Sequence, residues 1–166
     1  MTTTRTLIIG YGNRLRSDDG VGAAVAQAIA AWKIPGVRAL AVSQLAPELV
    51  DELKNADRVL FVDAASEPLD NPFTTYNIEP KKSRRALGHH SDAAHLLALT
   101  GDLEGRSPQA WMLAINVHSL DYGESITAFA QENMHVSLAW IRRWLEESRA
   151  SCPTSTSASS PANPYS

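Results

Sequence analysis

Short apolar runs alternate along this chain with stretches whose apolar residues recur every three or four positions, and that alternation sets the expected elements. Thr6–Gly10 is a β-branched-rich run closed by glycine and is expected as a buried strand. A polar, glycine-bounded loop follows. A helix is expected to start near Asp18–Val21, because Ala24, Val25, Ala28, Ile29 and Trp32 keep helical spacing. Asp18 and Asp19 would then lie at the favourable positive end of its dipole, and Pro35-Gly36 would end it. Val37–Ser43 is a second strand. Pro47 and Glu48 open a helix to about Lys54 that gathers Leu49, Val50 and Leu53 on one face.

Arg58–Asp63 carries the clearest strand signal, four apolar residues ending on a carboxylate. Ala64–Pro72 reads as loop, Thr74–Ile78 alternates like an edge strand, and Lys81–His90 is irregular and basic. Ser91 is expected to cap a third helix that carries Leu96, Leu97 and Leu99 and stops at Gly101. Ala110–Ile115 is a further strand. Ser125 is expected to cap the last helix, with Ile126, Phe129, Ala130, Met134, Leu138, Ile141 and Leu145 as its apolar stripe. The pattern predicts an α/β fold, a three-layer αβα sandwich around a twisted, mostly parallel five-stranded sheet. One domain is expected over 1–149, and the uncharged, Ser/Pro-rich segment 150–166 is expected to be a disordered tail.

Composition narrows the function. The 166 residues carry a formal net charge of -3 and no aromatic-basic stripe, which argues against nucleic acid or an anionic membrane as partner. The single cysteine, Cys152, excludes an internal disulfide, and no signal-peptide pattern precedes the first strand, so a cytoplasmic location is expected.

In parallel α/β sheets the functional residues gather beyond the carboxyl ends of the strands. Three places qualify: the loop after Gly10, Asp63, and the loop holding His89 and His90. Gly10-x-Gly12 invites a dinucleotide-binding reading, but Leu15 stands where a third small residue belongs and the second strand ends on Ser43 without an acid. Of Asp18 and Asp19, one can cap the helix while the other faces a cleft. Asp63, after Val-Leu-Phe-Val, must reach solvent, a partner or a metal, because a bare buried charge is costly. His95 and His135 fall within helices, and His118 follows the fifth strand. Asp19, Asp63 and a histidine of the third loop would supply two oxygens and one nitrogen, a set suited to a divalent first-row ion. The chain has no His-Glu-x-x-His and no Gly-x-Ser-x-Gly, which leaves a metal-assisted hydrolase of another kind.

The run Ile9-Gly-Tyr-Gly-Asn-Arg-Leu-Arg-Ser-Asp-Asp-Gly-Val-Gly22 resembles the N-terminal signature of the hydrogenase maturation proteases. Asp57–Ala64 resembles the family's second block, and Leu87-Gly-His-His90 its third. Leu45-Ala-Pro-Glu-Leu49 and Asp121-Tyr-Gly-Glu124 resemble the branch serving bidirectional, NAD(P)-linked hydrogenases. The resemblance implies a metal-dependent endopeptidase that removes the C-terminal extension of a [NiFe]-hydrogenase large-subunit precursor after nickel insertion. The nickel would be carried by the substrate protein, with no organic cofactor, and the protease is expected to act as a monomer. The family's acid, acid and histidine fall on Asp19, Asp63 and His89, as metal contacts and catalytic groups together. His89 is preferred to His90 because it keeps the family spacing to Leu96-Leu97. Family members often carry Glu where Asp19 stands. A non-catalytic nickel-site checkpoint and a peptidase of the same fold acting on another protein are the alternatives.

Overall fold

The computed structural model describes residues 4–81, 89–120, 123 and 125–150, with the side chains of 89–91 and 150 outside that description. Among these residues, five strands form one sheet: β1 (Thr6–Tyr11), β2 (Val37–Val42), β3 (Arg58–Ala64), β4 (Phe73–Ile78) and β5 (Gln109–Ile115). Their order is β2-β1-β3-β5-β4. Every pairing is parallel except β4 with β5. The expected mostly parallel α/β sheet is therefore present. The middle strands β1 and β3 are almost wholly buried, whereas edge strand β2 is half exposed, as expected when only the middle of a sheet is covered on both faces.

Among the described residues, four helices cover the sheet: α1 (Val21–Trp32), α2 (Val50–Leu53), α3 (His89–Glu104) and α4 (Ala128–Ala150). Alternation along the strands divides the core in two. Leu7, Ile9, Tyr11, Phe61 and Met112 face α2 and α3, while Ile8, Leu60, Val62, Leu113 and Ile115 face α1 and α4. Trp140 and Trp144 of α4 stack at 6.2 Å between centroids and anchor the second layer.

Several boundaries differ from expectation. The helix expected from Asp18 begins as a 3-10 turn, Ser17–Gly20, before α1 proper, and it ends on Lys33 in the left-handed conformation ahead of Pro35. The Pro47–Lys54 helix divides into a 3-10 turn, Pro47–Leu49, and the single turn of α2. α3 starts two residues before Ser91 and runs through Gly101 to Glu104, because Gly105 (φ 74°) supplies the left-handed terminus. At α4 the capping hydroxyl belongs to Thr127, whose Oγ1 accepts the Ala130 N–H at 3.2 Å, and not to Ser125. Phe129, expected in the apolar stripe, is 43% exposed. The expected tail over 150–166 lies, beyond Ala150, outside the described residues.

Candidate active site at the carboxyl edge of the sheet

α1 sits directly on strand backbone. A Cβ on Gly10 would fall 1.9 Å from the Gly22 carbonyl oxygen, and one on Gly22 would fall 2.4 Å from that of Val62. Glycine at both positions lets the helix approach β1 and β3 with no side chain between them. The turn that joins β1 to α1 is thereby held over the carboxyl end of the sheet.

Within that turn, Gly12 has φ 145° and passes so close to Asp19 that a Cβ would lie 1.9 Å from the Asp19 carbonyl oxygen. Asn13 Oδ1 accepts the Leu15 N–H at 2.9 Å, and Asp19 Oδ2 accepts the Asn13 N–H at 2.7 Å. Asp19 is half-buried. Its carboxylate is thus tied to the loop through one oxygen.

The adjacent acid behaves differently. Asp18 is fully buried and accepts four hydrogen bonds, from the N–H groups of His118 (2.9 Å), Ser119 (2.9 Å) and Thr127 (2.7 Å) and from Thr127 Oγ1 (2.9 Å). Burial alone would raise its pKa, but these donors outweigh it and hold the carboxyl below its ordinary value. Backbone bonds reinforce the weld: Ser17 N–H to Gly123 O at 2.6 Å, Asp18 N–H to Ser119 O at 3.1 Å and Gly123 N–H to Leu15 O at 2.9 Å. Helix capping, the plain sequence reading for this pair, does not describe either acid. The N-cap of α1 is Gly20 and has no side-chain cap bond. Asp18 instead locks the β5–α4 connection onto the β1–α1 turn.

Asp63 ends the buried part of β3 and is 4% exposed. Its Oδ1 accepts the Ala64 N–H at 2.8 Å, and its carboxylate takes a hydrogen bond from the Tyr11 side chain. Tyr76 on β4 is close enough that burial, and then the Asp63 charge, raise its phenolic pKa. His89 and His90 open α3. That helix leads into β5 at the opposite edge, where Arg106 hydrogen-bonds the Ala56 carbonyl at 2.7 Å, so its first turn lies at the carboxyl edge. The side chain of His89 is outside the description, as is the choice between His89 and His90. Among the described residues, no three His, Cys, Asp or Glu side chains form a metal-holding group. The three candidate residues therefore share one edge of the sheet, with Asp19 and Asp63 seen as side chains and His89 as a position.

Of the other histidines, His135 is exposed and His95 half-buried. His118 meets Phe129 edge to face at 5.5 Å between ring centroids and serves Asp18 through its backbone. His95, Leu96 and Leu99 of α3 and Leu45, Ala46 and Pro47 line a cleft of about 230 Å³ beside the first turn of α3. Of Asp121–Glu124, only Gly123 lies within the described residues. Sequence reasoning missed Tyr11 and Thr127. Tyr11 ends an apolar strand and gains meaning only once β1 is known to pair with β3. The Thr127 hydroxyl was signalled only by its place ahead of a helical stripe.

Solved structures of one kind share this fold. The hydrogenase maturating endopeptidase HybD from E. coli superposes with a TM-score of 0.71 at 21% identity, covering 87% of this chain and 94% of that one. HybD, a [NiFe] hydrogenase maturation protease from Thermococcus kodakarensis, gives 0.69 at 19% identity, over 86% and 99% of the two chains. The maturation protease HycI from the same organism gives 0.67 at 22%, over 86% and 93%. No family model and no curated protein sequence matches the chain. The fold is that of the hydrogenase maturation endopeptidases.

Proposed function

We propose that this chain is an endopeptidase that removes the C-terminal extension of a [NiFe]-hydrogenase large-subunit precursor once nickel has been inserted. The reading is supported by the placement of Asp63, the Asp19 turn and the first turn of α3 along the same edge of the sheet, in a fold shared with solved maturation proteases.

The nickel held by the precursor belongs to the substrate. Two carboxylate oxygens and an imidazole nitrogen are donors suited to such an ion. Asp19, Asp63 and His89 would complete its coordination as the precursor docks, and this chain would need no resident metal. The ion supplies Lewis acidity when the precursor is bound. The residues of the chain then act by position. Asp63 accepts the Ala64 N–H, and the Asp19 turn is fixed by the Asp18 weld. The segments Leu45–Leu49 and Asp121–Glu124 resemble the branch that serves soluble bidirectional, NAD(P)-linked hydrogenases, and precursors of that class are the proposed substrates. The chain is taken to act as a cytoplasmic monomer. Among the described residues, no helix is long and apolar enough to cross a membrane.

The test is a mass shift. Purified protein is incubated with nickel-loaded and nickel-free precursor, beside Asp19→Asn, Asp63→Asn and His89→Ala. The expected result is loss of a C-terminal peptide only with nickel, slowed roughly a hundredfold or more by each variant. Binding without cleavage of a precursor that another maturation protease does cut would make the chain a checkpoint. Cleavage independent of nickel would make it a peptidase of another specificity.

A further inference from the structure

Tyr11 is 2% exposed, so its hydroxyl needs a partner inside the protein. Gly10 of β1 stands opposite Val62 of β3 in a parallel pair. The next residues, Tyr11 and Asp63, therefore lie side by side, about 4.8 Å apart in strand spacing. Tyr11 shares its face with Phe61 and Met112, beneath α3. Its ring reaches across β3 toward β5, where the hydroxyl stands 3.9 Å from Met112 Sδ. A thioether is a weak acceptor, and the stronger bond goes to the Asp63 carboxylate. A phenol is protonated at neutral pH, so toward a carboxylate it is the donor.

Packing alone would be served by phenylalanine here, since the neighbours Phe61 and Met112 are apolar. What phenylalanine would lack is the hydroxyl's bond to Asp63. With the Ala64 N–H on Oδ1 at 2.8 Å, the carboxylate is gripped from its own backbone and from the next strand.

We propose that Tyr11 is a positioning residue for Asp63, its phenol donating the hydrogen bond that fixes the carboxylate in the orientation the cleavage reaction uses. This rests on the role given to Asp63 under the proposed function. Groups behind a metal-contacting side chain typically change activity ten- to a hundredfold when removed.

The experiment compares wild type, Tyr11→Phe and Asp63→Asn on nickel-loaded precursor, reading kcat and KM separately, with thermal melting as a control. The expected result for Tyr11→Phe is a kcat lower by about ten- to a hundredfold, with KM within about twofold and near-wild-type melting. Ultraviolet resonance Raman gives a readout apart from activity. The wild-type minus Tyr11→Phe difference isolates one of the chain's four tyrosines. It is expected to carry a strong-donor signature that disappears when the same difference is taken in the Asp63→Asn background. Wild-type turnover by Tyr11→Phe, or a rise in KM alone, overturns the positioning role and leaves the proposed function standing. No cleavage by wild type itself removes both. Should Tyr11→Phe fail to fold, the tyrosine spectrum of Asp63→Asn against wild type decides, and an unchanged spectrum overturns the proposal.

Discussion

The two edges of the sheet handle charge in opposite ways. At the amino edge, Asp57 accepts the Arg5 N–H at 2.8 Å and faces the guanidinium groups of Arg5 and Arg106 at 3.5 and 3.6 Å. Arg38 grips Glu52 with two bonds, at 2.7 and 2.9 Å. Most of these side chains are well exposed, and Arg5, Arg38 and Glu52 line a cavity of about 510 Å³ that opens between β1, β2 and α2. Arg58 is the more buried exception. It lies 3.8 Å above the Trp144 ring, and burial lowers its pKa to about 10. At the carboxyl edge, Asp18 and Asp63 are buried and receive N–H and O–H donors. Paired surface charges relax in water and set little, whereas a carboxylate held by oriented dipoles fixes loop geometry. The difference marks where the fold is rigid.

The contrast can be broken most severely at the glycine seam. Gly22→Ala, and equally Gly10→Ala, forces α1 off the strands, since the added Cβ would overlap backbone oxygens at 2.4 and 1.9 Å. The expected cost is more than about 4 kcal/mol, in the range reserved for severe overpacking. Expression with wild-type melting would show that the seam can open. Asp18→Ala comes next. It leaves three N–H groups and the Thr127 hydroxyl without their acceptor, for a loss of roughly 3–5 kcal/mol, or about 10 °C in melting temperature. A melting change below about 2 °C would mean that water or another group replaces the carboxylate, and the two edges would no longer differ in kind.

Asp57→Asn should be the mildest, at about 0.5 kcal/mol, because the pair is exposed and screened. It also carries a pH signature. The Arg5 N–H, followed by the nearby guanidinium groups, depresses the Asp57 pKa despite partial burial. A depressed carboxyl contributes stability above the ordinary carboxylate range, and that contribution is lost as pH falls through the folded value. Acid titration of wild type and Asp57→Asn should therefore converge at low pH. A gap that widened on acidification would contradict the assignment.

Much of this architecture was legible in the chain. The apolar runs at Thr6–Gly10 and Arg58–Asp63 became the two adjacent central strands because a run without polar alternation can be buried only on both faces. Helix ends were less legible. Ser91 and Gly101 carry ordinary cap and stop chemistry, yet α3 passes through both and ends where Gly105 takes the left-handed conformation; its last turn is not held by packing, since Leu103 is 64% exposed. The pair Asp18-Asp19 was legible as one capping and one cleft-facing acid, but the clamp that Asp18 makes in place of a cap was not. Only the weld to residues 118–127 separates the buried clamp from the acid beside Gly12.

The sequence by itself determined the order of elements, the apolar faces and the three loops in which chemistry could reside, because these depend on local spacing and composition. Which side chains meet there was decided by tertiary structure. Tyr11 and Asp63 are 52 residues apart in numbering, and Asp18 and Thr127 are 109 apart. Strand order and register bring the first pair together, and burial forces the second. A hydrogen bond across such a separation depends on the packing of everything between, and no local pattern in the chain encodes it.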